Sequence, residues 1–183
     1  MPAFHLAVRA QRGESDSHDV LAATTPASPG PLTGPARMAL AGQCADPEGF
    51  SARARPVLRT AATPEAALQA LAPEACLVLF IEPDTLIVRA RHAVLQYLRL
   101  ADATVKPLPP DPAPLQFSAG DTYIALSPGA LQVADSPAIA RFIHLRDYFN
   151  AETLAAALLN HLLGLGGAAR PPADLTVLVL EAR

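Results

Sequence analysis

Residues 117–183 constrain the fold most, because a short strand, a stop, one long amphipathic helix and a second strand follow one another there in unbroken order. Gly120-Asp121 predicts a turn and 122–126 a β-rich run, which Pro128-Gly129 stops. Asn150 predicts a helix cap, its side-chain oxygen accepting from a backbone N–H of the first turn. Beyond it Leu154, Ala155, Leu158, Leu159, Leu162 and Leu163 recur at spacings of three and four, which puts them on one helical face, and Gly164 is expected to end the helix. Residues 175–180 then read as an apolar strand. A helix with one apolar stripe has to bury it on a neighbouring layer, so this stretch predicts a helix laid on a sheet.

The rest of the chain offers more strands. Phe4, Leu6 and Val8 alternate with His5, Ala7 and Arg9, the period-two signature of a strand with one face buried. Residues 37–41, 76–81, 85–91 and 94–100 are further candidates, with Glu82-Pro83-Asp84 as a turn. Four prolines and two glycines within 22–36 predict a loop there, read as an exposed β-hairpin connection, and five prolines within 106–114 predict an extended connection rather than a helix. Asp46-Pro47-Glu48 and Thr63-Pro64-Glu65 each start a helix, with an N-capping side chain ahead of proline and an acid in the first turn. Pro56 is expected to limit or kink the first of them. The segment holding Ile139, Phe142, Ile143 and Leu145 reads as helix beside the main one.

With 183 residues, 51% of them hydrophobic and 17% charged, the chain can bury a core, and 1–183 is read as a single globular domain. The longest apolar run, 75–81, is too short to span a bilayer, and the alternating N-terminus lacks the apolar region of a secretion signal, so a cytoplasmic location and no membrane partner are expected. A formal net charge of −3 with scattered arginines leaves no electrostatic footprint for nucleic acid. Cys44 and Cys76 stand far apart without companion ligands and read as buried free thiols. Gly164-Leu165-Gly166-Gly167 follows a helix instead of preceding one, so it is no phosphate-binding loop. His92, His144 and His161 have no partner acid or nucleophile identifiable by spacing and are assigned no chemical role.

Two pieces carry a resemblance. The first is Ala119-Gly120-Asp121-Thr122-Tyr123-Ile124-Ala125-Leu126-Ser127-Pro128-Gly129-Ala130-Leu131; the second is Ala173-Asp174-Leu175-Thr176-Val177-Leu178-Val179-Leu180. Their order resembles the C-terminal half of the PPM-type (type 2C, sporulation stage II E-like) metal-dependent serine/threonine protein phosphatases. In that family a Gly-Asp strand leads into a Thr/Ser-Asp-Gly turn, then a helix, then Asp-Asn-hydrophobic-Thr and a valine-rich strand. The resemblance implies an α+β fold, a four-layer αββα sandwich of two mainly antiparallel sheets, with helices from 46–72 and 138–163 on the outer faces.

It also implies where a metal site would be. The family's ligand acids align with Asp19 after the first strand, with Ala41 before Gly42, with Pro128 before Gly129, and with Ala173 before Asp174. Glu14 falls on the family's phosphate-binding arginine, with Arg12 nearby. Only Asp19 keeps an aligned carboxylate, and two divalent ions need several oxygen ligands. The resemblance therefore implies a catalytically inactive, phosphatase-like domain with no cofactor, acting by binding another signalling protein or a phosphoprotein. A second reading is a divergent phosphatase whose manganese or magnesium site is rebuilt from Asp16, Asp19, Asp46, Asp121 or Asp174, with Asp19 and Asp174 the first candidates. Read without the resemblance, the residues give an α+β domain of unassigned role.

Overall fold

The computed structural model describes residues 4–14, 16–24, 30–32, 34–83, 85–91, 93–145, 147–148, 150–167 and 170–183. Its elements run β1 (Phe4–Gln11), β2 (His18–Ala23), β3 (Gly30–Leu32), β4 (Ala36–Cys44), α1 (Pro47–Thr60), α2 (Pro64–Ala70), β5 (Ala75–Ile81), β6 (Thr85–Ala90), β7 (Leu95–Arg99), β8 (Val105–Pro107), β9 (Leu115–Gln116), β10 (Thr122–Leu126), α3 (Ser136–Leu145), α4 (Ala151–Gly166) and β11 (Leu175–Ala182). One sheet has the order β3-β1-β11-β10-β7-β8 and the other β2-β4-β5-β6-β9, with every pairing antiparallel.

Alternation along the strands builds three apolar layers. In β10, Tyr123 and Ala125 face the opposite sheet while Ile124 and Leu126 face α3 and α4. The layer between the sheets holds Leu6, Met38, Leu40, Leu79 and Leu178, with Phe4 and Phe117 edge-to-face at 5.3 Å. On the outside of the first sheet, Leu154, Leu158 and Leu162 of α4 cover Val177 and Val179. On the outside of the second, Phe50, Ala54 and Leu58 of α1 cover Ala39 and Val78. Each fully buried side chain of this size contributes roughly 1.5–3 kcal/mol, so both helix layers are held by burial. The result is the four-layer αββα sandwich. Among the described residues, no helix is long and apolar enough to cross a membrane.

The proline-rich connection acts as a strap between the sheets. Gln96 of β7 exchanges bonds with it, its carbonyl accepting from Leu108 N at 2.9 Å and its Nε2 donating to Pro109 O at 3.1 Å. Ala90 N at the end of β6 donates to Pro110 O at 2.8 Å. The buried Tyr123 hydroxyl donates to Gln96 Oε1 at 2.7 Å, which ties the strap to the inter-sheet core. Prolines offer carbonyls and no N–H, so beyond Pro107, where β8 ends its pairing with β7, the strap mainly accepts from groups of the two sheets and does not continue either ladder.

Several expectations are corrected. The helix at 151 does not stop at Gly164 but runs to Gly166, and Gly167 supplies the left-handed residue, with φ 63°. Pro56 sits inside α1 without ending it, on the exposed side away from Phe50, Ala54 and Leu58, and Arg37 Nη1 donates to the carbonyls of Leu58 and Ala61 at 2.9 Å where the helix stops. Residues 22–36 are not a loop throughout, since β2 runs to Ala23 and β3 spans Gly30–Leu32; residues 25–29 and 33 lie outside the described residues, as do Asp84 and His92. The Asn150 cap and the turn at Gly120, φ 91°, are present as expected.

Candidate functional site

Four segments meet at one end of the sandwich: the turn after β1, the end of β4, the end of β10 and the start of β11. Antiparallel pairing brings them there, since Gln11 lies opposite Leu175, Val177 opposite Leu126, and His18 opposite Cys44. Six of the seven aligned positions, Asp19, Gly42, Pro128, Gly129, Ala173 and Asp174, fall together at this end. Ala41 does not join them; its side chain packs in the layer beneath α1 and α2.

The segments touch backbone to backbone. A Cβ on Gly13 would stand 2.7 Å from both the Cα and the carbonyl oxygen of Ala173. One on Gly42 would meet the Pro128 ring at 2.9 and 3.0 Å, and one on Gly129 would run into the Asp174 carbonyl oxygen. Pro128 begins a 3-10 turn, Pro128–Gln132, that is seated on β11 through these contacts.

Asp174 faces inward, and each of its oxygens accepts a backbone N–H. Its Oδ1 accepts from Gly13 N at 2.7 Å and its Oδ2 from Asp19 N at 3.0 Å, with His18 Nδ1 3.4 Å from Oδ2. This carboxylate thus pins the β1–β2 turn to β11. Ser127, fully buried, donates to Asp174 O at 3.3 Å and accepts from Thr176 N at 3.0 Å, which continues the same clamp.

Asp19 is less well satisfied. Its Oδ1 accepts from Gln43 N at 3.2 Å, a residue held at φ 53°, while its Oδ2 and the Thr176 Oγ1 are buried without a hydrogen-bond partner among the described residues. Burial raises the Asp19 pKa above the ordinary 3.8, the adjacent Ser127 and Thr176 hydroxyls and the Gln43 N–H pull against this, and Asp174 adds to the rise. Neither hydroxyl is in hydrogen-bonding geometry with Asp19, so burial governs the direction. Cys76 lies close behind. Burial first, and the Asp19 charge second, push its thiol up to about 12, so it stays protonated and inert.

A titration prediction follows from this burial. Between 3.8 and the raised folded value, the folded protein binds more proton at Asp19 than the unfolded chain does, so stability falls as pH rises through that window. Asp19→Asn keeps an oxygen for Gln43 N–H and never ionises. It is expected to be the more stable protein at pH 7, with the difference shrinking as pH falls toward 3.8, read by urea titrations at several pH values. A variant less stable than the parent at pH 7 would mean that the Asp19 charge is compensated.

Other acids considered from the sequence lie elsewhere. Asp121 is at the opposite end of β10, accepting from Ala101 N at 3.0 Å and Ser118 N at 2.8 Å. Asp46 caps α1 through Gly49 N at 3.0 Å, and Asp16 is exposed. Among the described residues, no group of three or more His, Cys, Asp or Glu side chains could hold a metal ion together. Sequence reasoning did not single out Gly13, and it took Cys44 and Cys76 only as buried thiols, which both are. The one signal for Gly13 was its place directly after the first strand.

Compared with known proteins, the chain matches no protein-family model and no curated protein. Its fold is matched by solved phosphatase domains. The PP2C phosphatase domain of SpoIIE from Bacillus subtilis, in a chain that also carries a fragment of its regulatory domain, superposes with a TM-score of 0.73 at 12% identity, over 100% of this chain and 63% of that one. The SiaA PP2C domain of Pseudomonas aeruginosa gives 0.72 at 14% identity, over 97% and 85%. The catalytic domain of the serine/threonine phosphatase PstP, in complex with two manganese ions, gives 0.62 at 14% identity, over 100% and 99%. The chain therefore has the fold of the PP2C phosphatase domains.

Proposed function

We propose that this chain is a PP2C-like domain without hydrolytic chemistry, which acts in the cytoplasm by binding another signalling protein or a phosphoprotein. The observation that carries the reading is the state of Asp174: each of its oxygens accepts a backbone N–H that pins a turn of the fold, whereas Asp19 Oδ2 has no hydrogen-bond partner among the described residues. A pair of divalent ions takes several negative oxygens to replace its water shells, and without the pair there is no activated water and no Lewis acid on a phosphoryl group. The Pro128 ring against Gly42 and Gly129 against Asp174 support the same reading, since they put apolar and backbone atoms where the aligned ligands would stand.

The second reading, a divergent manganese- or magnesium-dependent serine/threonine phosphatase, draws on the unpartnered Asp19 Oδ2 and Thr176 Oγ1. Calorimetric titration with manganese, beside hydrolysis of an aryl phosphate with and without the metal, separates the two. No saturable heat and no metal-dependent turnover are expected. Turnover that requires manganese and disappears in Asp19→Asn would overturn the proposal in favour of the divergent enzyme.

A further inference from the structure

A groove runs between α2 and the end of β6, at the same end of the sandwich as Asp19 but on the helix side of its sheet. Its volume is about 510 Å³, within the range of small-molecule sites. Leu68, Ala72 and Ala90 give it an apolar floor, and Glu65, Gln69, Arg89 and Arg91 supply the polar part of its wall.

The two arginines differ in what they have left to offer. Arg89 is spent on the protein: its Nε pairs with Glu65 Oε1, and its Nη1 donates to Val88 O at 2.6 Å and Pro112 O at 3.3 Å. Arg91 is anchored only through Nε, which donates to Ala75 O at 2.8 Å, and its two outer nitrogens donate to no described residue. A guanidinium fixed in this way keeps a planar two-nitrogen fork, the geometry that takes an oxyanion bidentately. Charge selects which oxyanion. Arg89 and Glu65 offset each other, so among the described residues lining the groove Arg91 is the uncompensated cation; a monoanion balances it, whereas a dianion would bring surplus negative charge toward Glu65.

We propose that this groove binds a small monocarboxylate with an apolar body, the carboxylate on the Arg91 fork and the body over Leu68, Ala72 and Ala90. The site is separate from the Asp19–Asp174 clamp and does not rest on the reading of that clamp.

Sodium phenylacetate is the probe, followed by calorimetry or by backbone amide shifts, with phenylacetamide as its uncharged match and phenyl phosphate as a dianionic one. Saturable phenylacetate binding is expected. It should weaken at least about tenfold for the amide, for Arg91→Gln and for Gln69→Glu, which sets a carboxylate in the groove from an exposed position. Arg55→Gln, exposed on α1 and outside the groove, should bind as the parent does. If Arg91→Gln fails to fold for want of its bond to Ala75, Gln69→Glu decides. The proposal is overturned by the absence of saturable binding, by amide and carboxylate binding alike, by an unaffected Gln69→Glu, or by phenyl phosphate binding more tightly than phenylacetate. No metal or turnover enters the readout, so failure here leaves the manganese experiment untouched, and the reverse holds as well.

Discussion

Gly129→Ala should lower the stability of the folded protein by roughly 3 kcal/mol, the upper part of the range for overpacking a tight contact. The added methyl would enter the space of the Asp174 carbonyl oxygen, with Asp174 C at 3.2 Å and Ala173 Cβ at 3.4 Å closing the other side. All of these atoms are backbone or Cβ atoms of the two residues just before β11, a strand paired on both edges, so no flexible side chain can swing away. Urea unfolding followed by far-ultraviolet circular dichroism reads the loss, since the chain has no tryptophan to report by fluorescence. Gly164→Ala is the matched control of opposite sign. A Cβ there meets nothing within 4 Å, and inside α4 alanine replaces glycine with a gain of about 0.5–1 kcal/mol. A Gly129→Ala protein within about 0.5 kcal/mol of the parent, the range of an ordinary surface change, would show that the 3-10 turn does not pack against Asp174.

Asp174→Ala is expected to cost about 3 kcal/mol, because it strands two backbone donors, Gly13 N and Asp19 N, at roughly 1–3 kcal/mol for each buried group left unpaired. Asp174→Asn separates the causes. It keeps one side-chain oxygen and should lose only part of that stability, and the loss should appear in the midpoint of urea unfolding with its slope unchanged. The paired measurement also bears on the proposed function. A carboxylate held for coordination would be removed with little cost to the fold, as ligand acids unbalanced by a cation repel one another. An Asp174→Ala protein as stable as the parent would therefore argue against the structural clamp and return Asp174 to the list of available ligands.

The residues that were legible in the sequence are those whose partners lie close along the chain. Asn150 and Thr153 close a capping box three residues apart, and α4 follows from the leucine spacing behind them. The proline-rich segment was legible as extended, for a local reason, while its role as a strap depends on Gln96 and Ala90, which no local pattern connects to it. The edge strands β3, β8 and β9 have two or three residues each, too few for a periodicity to register. His18–Ala23 was missed as a strand because its residues are nearly all half-buried and show no clean alternation.

The order of elements, with the resemblance its motifs carry, was enough to expect an αββα sandwich, since alternation and capping are local properties. Where the remaining side chains point was decided by tertiary structure. In β4, Met38 and Leu40 face the other sheet while Ala39 and Ala41 face the helices, so Ala41 packs beneath α1 and Gly42, the next residue, meets Pro128; which face the helices cover is settled only when the sheets pair and pack. Likewise, no spacing rule joins Asp174 to Gly13 across 161 residues of chain; only the pairing of the first strand with the last brings that carboxylate onto the turn it holds.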